Sequence, residues 1–330
     1  MNKKTSDASK TGKVFITGGL GFIGSHIVKE FLKHGYSVTV YDSLIQWLVP
    51  EITTKQDNLL FRLAAVWEQI KFIRGDILDK DFLRRAVNEA EPDIIIHMAA
   101  MPLASVAITY SAEAYKSIVD GTINLFEILR DLKKQVKFIQ TSSSMVYGDF
   151  QYSPVDENHP KNPKEFYGAF KYCSEIIANT YGKRCGIDFT IIRPSAVYGP
   201  TDRNQRVVQK SIDRVLDGKP IVIDGDGSMA LDFTFVEDVA VGFYLAATSK
   251  FSKGQTYNMT RGRERTLKEL AEIILKETGT GKIEYREKPE FIPKRGTLDI
   301  SKARKELNFN PSICLEEGIK RYIKNIKTNE

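Results

Sequence analysis

The chain has 330 residues, 42% apolar and 27% charged, a balance that suits one large folded core or one core with a smaller lobe and excludes a low-complexity chain. The formal net charge is +6 with acids and bases interleaved, a mild help for anionic, phosphate-bearing ligands; no basic stripe studded with aromatics suggests nucleic acid. No stretch approaches the roughly 18 apolar residues of a membrane span, and the start has no apolar signal core, so neither membrane insertion nor export is expected. Cys173, Cys185 and Cys314 are scattered without metal or redox spacing and the four histidines form no ligand cluster, so no metal is expected and a reducing cytoplasm is the expected setting.

Residues 1–12 are rich in Lys, Ser and Thr and read as a disordered tail. Then comes Lys13-Val14-Phe15-Ile16-Thr17-Gly18-Gly19-Leu20-Gly21-Phe22-Ile23-Gly24: a short β run, a burst of glycines, and the apolar period of a helix over about 21–34. Glycine is used where the backbone takes positive φ or where a ligand approaches it closely. The following helix start offers unpaired N–H groups to a pyrophosphate. Gly19-x-Gly21-x-x-Gly24 and Gly18-x-x-Gly21-x-x-Gly24 both fit dinucleotide fingerprints. A second strand, about 37–41, ends at Asp42, eighteen residues past Gly24. An acid there accepts the adenosine ribose hydroxyls and repels a 2′-phosphate. No Arg or Lys lies in Ser43–Val49, so the expected cofactor is NAD rather than NADP.

A long connection, 43–57, and a helical piece near 58–68 lead to a third strand ending in Gly75-Asp76. Helix 79–90, the unbroken apolar strand 93–97, helix 111–133, strand 136–141 with a Ser cluster, helix 164–183 and strand 189–193 follow. Repeated βα units with strands of this kind predict an α/β doubly wound parallel sheet covered on both faces. Ligands bind such sheets outside the strands' carboxyl ends, which places the chemistry at Gly18, Asp42, Asp76, Ala99, Ser143 and the residues after Arg193. His97 ends a strand and reads as packed. From about 195 Pro and Gly become frequent, elements shorten, and charged helices appear at 266–277 and 301–307. The expected organisation is a Rossmann domain over 13–194, with 230–250 returning to it, and a smaller α/β substrate-binding lobe from 195–229 and 251–330.

The catalytic candidates are Ser143, Tyr167 and Lys171. Tyr167 and Lys171 are one helical turn apart, so both can face one cleft. A phenol near its ordinary pKa of about 10 needs a depression of roughly 3 units, about 4 kcal/mol, to act as a base near neutrality. A neighbouring ammonium and an oxidised nicotinamide both favour phenolate. Ser143, at the end of the preceding strand, can orient the reacting hydroxyl while the proton and hydride leave. A Tyr-x-x-x-Lys is expected about once by chance in this composition. Its weight comes from opening the helix after the fifth strand, twenty-four residues past Ser143.

With Thr17–Gly24, Gly75-Asp76, His97–Ala100, Gly121-Thr122, Ser142–Gly148 and Tyr167–Lys171 in order, the chain resembles the extended short-chain dehydrogenase/reductase family, and within it the nucleotide-sugar epimerases and dehydratases. In the second half the resemblance rests on Arg193-Pro194, Val197–Pro200, Gly225–Ser228, Asp232-Phe233, Val236–Val239 and Arg295-Gly296, and it covers about 13–328. It implies NAD held by Gly18, Gly21, Phe22, Ile23, Gly24, Asp42, Asp76, Ile77 and Ala99 together with Tyr167 and Lys171. Tyr167 is then the base, Lys171 its tuner and Ser143 its partner. A nucleoside-diphosphate sugar is the implied substrate, with Ser143, Ser144, Arg203 and Arg295 as its contacts. A homodimer through the helices matching 111–133 and 164–183 is also implied.

The departures narrow the reaction. Dehydratases of this group usually carry an acidic pair, or at least a Glu, just after the catalytic Ser or Thr, and the decarboxylases tend to have a Glu two positions on. Here Ser144 and Met145 occupy those places, and neither can protonate a leaving hydroxyl. The expectation is a 4-epimerase, which needs only oxidation and re-reduction at C4; a dehydratase recruiting another acid or a C4 dehydrogenase is the alternative, and a non-catalytic dinucleotide-binding scaffold is disfavoured by the intact triad. On the substrate side Ala196, Leu231 and Ile118 stand where an Asn, an Arg and an Asn are usual, and Met101–Ser105 is more apolar than expected. The diphosphate-binding Arg missing at Leu231 leaves Arg203, Arg206 or Lys210 as substitutes, against the plainer reading of all three as a solvated helix face.

Overall fold

The computed structural model describes residues 11–45, 59–287 and 293–329. Most of the expected tail and of the connection 43–57 therefore lies outside the described residues. Strands β1 (Lys13–Thr17), β2 (Ser37–Asp42), β3 (Ile70–Arg74), β4 (Ile94–His97), β5 (Lys137–Thr141), β6 (Phe189–Pro194) and, later in the chain, β11 (Gln255–Met259) form one seven-stranded sheet. Its order is β11-β6-β5-β4-β1-β2-β3 and every pairing is parallel. The order reverses between β1 and β4, so a crevice opens at their carboxyl ends, where Thr17 pairs with both Tyr41 and His97.

Side chains alternate across the strands and both faces are covered. On one face Val14, Ile16, Val40, Ile96, Ile139 and Ile192 pack against Ile27, Val28 and Phe31 of helix α1 (Phe22–Lys33). Helix α8 (Val236–Thr248) adds Val239, Ala240 and Phe243 to the same core. On the other face Phe15, Ile95, Phe138 and Ile191 meet Leu83 and Val87 of α2 (Lys80–Ala90). Leu125, Phe126 and Leu129 of α5 (Gly121–Asp131) and Ala178 of α6 (Phe166–Cys185) complete that layer. The helical piece at 58–68 is a 3-10 helix over Leu59–Gln69.

The helix expected over 111–133 is one unbroken run that ends at Asp131: α4 (Ser111–Tyr115), a π-helical turn Lys116–Asp120, and α5, with the short helix α3 (Ala104–Thr109) preceding it. Apolar periodicity reads through such a turn because it adds one residue without removing the buried face. Wide turns of this kind are frequent at functional sites, and Lys116 and Ser117 of this one border the cleft described below.

A third core lies in the second half. Here α7 (Val207–Leu216), α9 (Leu267–Thr278) and α11 (Leu315–Asn329) surround the pair of β8 (Ile221–Asp224) with β13 (Ile283–Arg286). Ile212, Ile223, Leu270, Ile274 and Ile319 are buried together there. The remaining pieces are short: β7 (Val197–Tyr198) pairs with β10 (Thr234–Phe235), β9 (Ala230–Leu231) with β12 (Arg265–Thr266), and α10 is Ser301–Leu307. The charged helices expected at 266–277 and 301–307 are thus α9 and α10. No helix among the described residues is long and apolar enough to cross a membrane.

Candidate active site

One cleft of about 620 Å³ runs along the carboxyl edge of the sheet, within the size range of ligand pockets. It is lined by Gly18, Gly21, Phe22, Ile23, Gly24, Asp42, Asp76, Ile77 and Ala99, by Ser143, Tyr167 and Lys171, and by Arg203 and Arg206. The structure therefore brings together every residue assigned to the cofactor and all three catalytic candidates.

The glycine turn is built for close approach. Gly18 has φ +68°, and a Cβ there would lie 2.6 Å from the Ala99 nitrogen. A Cβ on Gly24 would lie 2.3 Å from the Gly18 oxygen. The Gly21 amide donates to the Gly18 carbonyl at 3.1 Å, which closes the turn. Gly21 caps α1 without a side-chain hydrogen bond, so the first-turn N–H groups are left for a ligand. Asp42, 8% exposed, accepts the Leu20 amide and the Leu44 amide, each at 3.0 Å. Burial raises its pKa and the two amides oppose that rise. Asp76 accepts the Leu78 amide at 2.9 Å, and its carbonyl is held by the Tyr41 hydroxyl at 2.8 Å. A glycine cradle without room for a Cβ, an uncapped helix start and an acid at the end of β2 together fit NAD.

The Lys171 ammonium, on α6, donates to the Thr141 carbonyl at 2.8 Å. It is 4% exposed, and burial lowers its pKa to about 8 while Glu175, one turn further on, acts the other way. Ser143 Oγ accepts the Met145 amide at 3.1 Å, capping the 3-10 turn Ser144–Tyr147. For Tyr167 the result differs from expectation. Burial raises its pKa; the effects that lower it are the charge of Arg206 and a hydrogen bond with Ser143, and Lys171 is not among them. The ammonium is engaged by the Thr141 carbonyl and stands 5.8 Å from the centroid of the phenol ring.

The substrate-side candidates divide. Arg203 and Arg206 border the cleft, whereas Lys210 is exposed on α7 outside it. Ser144 and Arg295 are not part of the cleft lining. Ser144 is 1% exposed, and its Oγ accepts Arg295 Nη2 at 2.6 Å. The same guanidinium meets Met145 Sδ at 2.8 Å and Ser195 Oγ at 3.3 Å. Burial lowers the Arg295 pKa to about 10, and its Nε has no partner. Both residues are thus engaged with each other behind the cleft wall. Leu231 faces Arg265 across the β9–β12 pair, but Arg265 is committed to Glu269 and Glu316. Ala196 lines the cleft at φ +37° and Ile118 is buried.

Sequence reasoning missed Phe61 and Arg62, which line the cleft beside the glycine turn. Arg62, 6% exposed, donates Nη1 to the Leu20 carbonyl at 3.0 Å, and Nε and Nη2 to the Thr201 carbonyl at 3.2 and 3.0 Å. The available signal was a lone Arg inside the apolar run Leu59–Val66. His97 is packed as expected: its Nδ1 pairs with Thr17 Oγ1 at 2.8 Å, and burial lowers its pKa to about 3.

A parallel sheet with a glycine turn at its switch point and a Ser, Tyr and Lys set in the same cleft defines a dinucleotide-dependent enzyme of the short-chain dehydrogenase/reductase type. The sequence pattern of the NAD dependent epimerase/dehydratase family matches residues 14–260, and the chain belongs to that family. It is 31% identical over 323 residues to a UDP-glucose 4-epimerase of Mycolicibacterium smegmatis, covering 94% of this chain and 97% of that protein. It is 30% identical over 317 residues to a dTDP-glucose 4,6-dehydratase of Streptomyces niveus, covering 93% and 90%. The crystal structure of UDP-glucuronic acid 4-epimerase from Bacillus cereus in complex with UDP-glucuronic acid and NAD superimposes with a TM-score of 0.88 at 28% identity, covering 96% of this chain and 100% of that one. The family is NAD-dependent and acts on nucleotide sugars.

Proposed function

We propose that this protein is an NAD-dependent 4-epimerase of a nucleoside-diphosphate sugar. The observation that carries the reading is the wall around Ser143 and Tyr167: the positions after Ser143 are Ser144 and Met145, with no carboxyl group there. Among the described residues the carboxylates bordering the cleft are Asp42, Asp76 and Glu113. The first two are tied to backbone amides near the glycine turn, and Glu113 is exposed on α4. A dehydratase needs a second acid/base beside the sugar, and this wall supplies none.

NAD, held by the glycine turn and Asp42, would supply the hydride acceptor and donor for C4. Tyr167 receives the 4-hydroxyl proton as oxidation proceeds and gives it back on reduction, so no net proton is consumed. Ser143, with its Oγ fixed by the Met145 amide, orients that hydroxyl. Lys171 holds positive charge in the wall behind the phenol. Re-reduction on the opposite face of the transient 4-keto sugar inverts C4. Of the substrate contacts expected, Arg203 stands in the cleft, and Ser144 with Arg295 supports its wall.

Incubation with UDP-, GDP-, CDP- and dTDP-sugars, followed by NMR, tests the reading. A C4 epimer with no loss of water is expected; a 4-keto-6-deoxy product overturns it. Tyr167→Phe should cut turnover by roughly 10²–10⁴-fold while bound NAD is retained; turnover at the wild-type rate removes Tyr167 as the base.

The reading extends to assembly and organisation. The α3–α6 face exposes Ile108, Tyr110, Tyr115, Phe166 and Ile176, with Phe166 and Tyr115 both against the ring of Phe170. An apolar face of this kind supports a homodimer through these helices. Ile176→Glu should then yield a monomer in sedimentation, and an unchanged sedimentation coefficient would rule that face out. The separate third core supports a substrate lobe built from α7, β8, α9, β13 and α11 beside a cofactor domain of 13–194 with 230–250; the expected assignment of all of 251–330 to that lobe is corrected, because β11 is a strand of the cofactor domain's sheet and Ala303 and Leu307 of α10 pack in its core. Three free cysteines support a cytoplasmic setting.

A further inference from the structure

The residues assigned to the reaction stand on two elements: Ser143 follows the end of β5, while Tyr167 and Lys171 lie in the first turns of α6. Between Ser143 and the Thr141 carbonyl that holds the Lys171 ammonium there is one residue, Ser142. It is 1% exposed. Its amide donates to the Ile192 carbonyl of β6 at 2.8 Å, and its hydroxyl donates to Glu175 Oε1 at 2.5 Å. Glu175 is one helical turn beyond Lys171, on the same face of α6. The carboxylate therefore ties the strand end to the helix between the two places where the reacting groups are mounted.

The carboxylate is itself fixed. Arg193, on β6, donates Nε to Glu175 Oε1 at 2.8 Å and Nη2 to Oε2 at 2.6 Å, a two-point fork that sets orientation as well as distance. The remaining arm, Nη1, donates to the Tyr147 hydroxyl at 2.8 Å, and that hydroxyl donates to Asn258 Oδ1 of β11 at 2.7 Å. Tyr147 ends the 3-10 turn whose Met145 amide donates to Ser143 Oγ. Ser143 is thus flanked by two hydroxyls anchored on one buried ion pair, Ser142 before it and Tyr147 after it. Desolvation offsets much of the attraction in such a pair, so apolar side chains of the same volume would hold the layers together about as well. They would not bind two hydroxyls at fixed points on either side of Ser143.

We propose that Glu175 is a positioning residue of this site: held by Arg193, its carboxylate registers the strand end carrying Thr141 and Ser143 against the helix carrying Tyr167 and Lys171. A misplacement of about 1 Å between reacting groups costs on the order of 10²-fold in rate, so a contact that touches neither substrate nor cofactor still governs turnover. The inference rests on Ser143, Tyr167 and Lys171 as the reacting set, and not on which net reaction they perform.

The test uses the holoenzyme and the sugar nucleotide that the NMR incubation shows to be converted. Ser142→Ala removes the clamp and leaves the Glu175–Arg193 pair whole. It should lower kcat by roughly 10- to 10²-fold, with bound NAD and the KM for the sugar nucleotide unchanged, and Ser142→Thr, which keeps the hydroxyl, should recover most of the loss. Glu175→Asp keeps the charge opposite Arg193 but withdraws it from Ser142, and should lower kcat in the same way. Because both variants act through one contact, the double variant should lose no more than the worse single one. Wild-type kcat in Ser142→Ala overturns the proposal, as do losses that multiply in the double variant. Loss of bound NAD in step with kcat also overturns it, because that reports a damaged fold. Should Glu175→Asp fail to fold, the comparison of Ser142→Ala with Ser142→Thr decides alone. Tyr167→Phe separates this inference from the reading beneath it. An inactive Tyr167→Phe beside a fully active Ser142→Ala removes the positioning role only. Wild-type turnover in Tyr167→Phe, or conversion of no sugar nucleotide, removes the reacting set and the positioning role with it.

Discussion

Tyr167 and Lys171 share a buried wall where removal from water disfavours both charged forms: the phenol is pushed up and the ammonium down to about 8. Catalysis needs the reverse for the phenol, so something must favour phenolate once the cleft is filled. Two cations are near enough to do it. Lys171 stands 5.8 Å from the ring centroid, and the Arg206 charge already acts on the hydroxyl. In Lys171→Met, with NAD saturating, loss of the ammonium raises the phenol's pKa, so the ascending limb of the kcat–pH profile should move to higher pH by about 1–3 units. An unmoved limb would mean that Arg206 alone tunes the base. The identity of the triad was legible in the sequence because i and i+4 spacing fixes a common helical face. The pairing of Lys171 with the Thr141 carbonyl was not, since it depends on how closely α6 docks against the end of β5.

At the scale of elements, the seven sheet strands and their helices were readable because two-sided burial leaves unbroken apolar runs and each helix keeps a 3.6-residue stripe. The π turn at 116–120 and the two-residue strands β7, β9, β10 and β12 were not, because their pairing is set by distant partners rather than local pattern. The helical piece Leu59–Gln69 was legible as a helix but not as a supplier of Arg62, whose three carbonyl contacts exist only after α1 and the 195–206 loop have assembled. The glycine turn is the element on which the cofactor reading can be broken most cleanly. In Gly24→Ala the new methyl would lie 2.3 Å from the Gly18 oxygen, closer than any real contact, so β1 and α1 must separate and the N–H cradle with them. The variant should purify without bound NAD, by absorbance of the denatured extract, and unfold at lower temperature. Retention of NAD at wild-type stoichiometry would show that the cradle is not where the pyrophosphate binds.

For the molecule as a whole, the buried titratable groups set an acid limit that differs from simple loss of surface ion pairs. Burial lowers His97 to about 3 and His26 to about 4, and His26 Nε2 has no partner. Both are neutral in the fold, while the unfolded chain protonates them near 6.5. Between about pH 6.5 and 4 the unfolded state therefore binds more protons, and stability falls as pH falls, by about 1.4 kcal/mol per pH unit for each histidine. Asp232 works the other way. Burial raises it to about 7, so the fold binds its proton before the unfolded chain does, and this group offsets one histidine over much of the same window. In His97→Asn the amide can keep a hydrogen bond to Thr17 but cannot titrate. Urea unfolding at a series of pH values should then show a stability slope between pH 6 and 4.5 that is shallower than wild type by one proton, about 1.4 kcal/mol per pH unit. The variant should also lose some stability at neutral pH, because the smaller side chain leaves the contact between β4 and Phe138 underfilled. A parallel downward shift with an unchanged slope would mean that His97 ionises within the fold and is not sealed beneath the cofactor's end of the sheet.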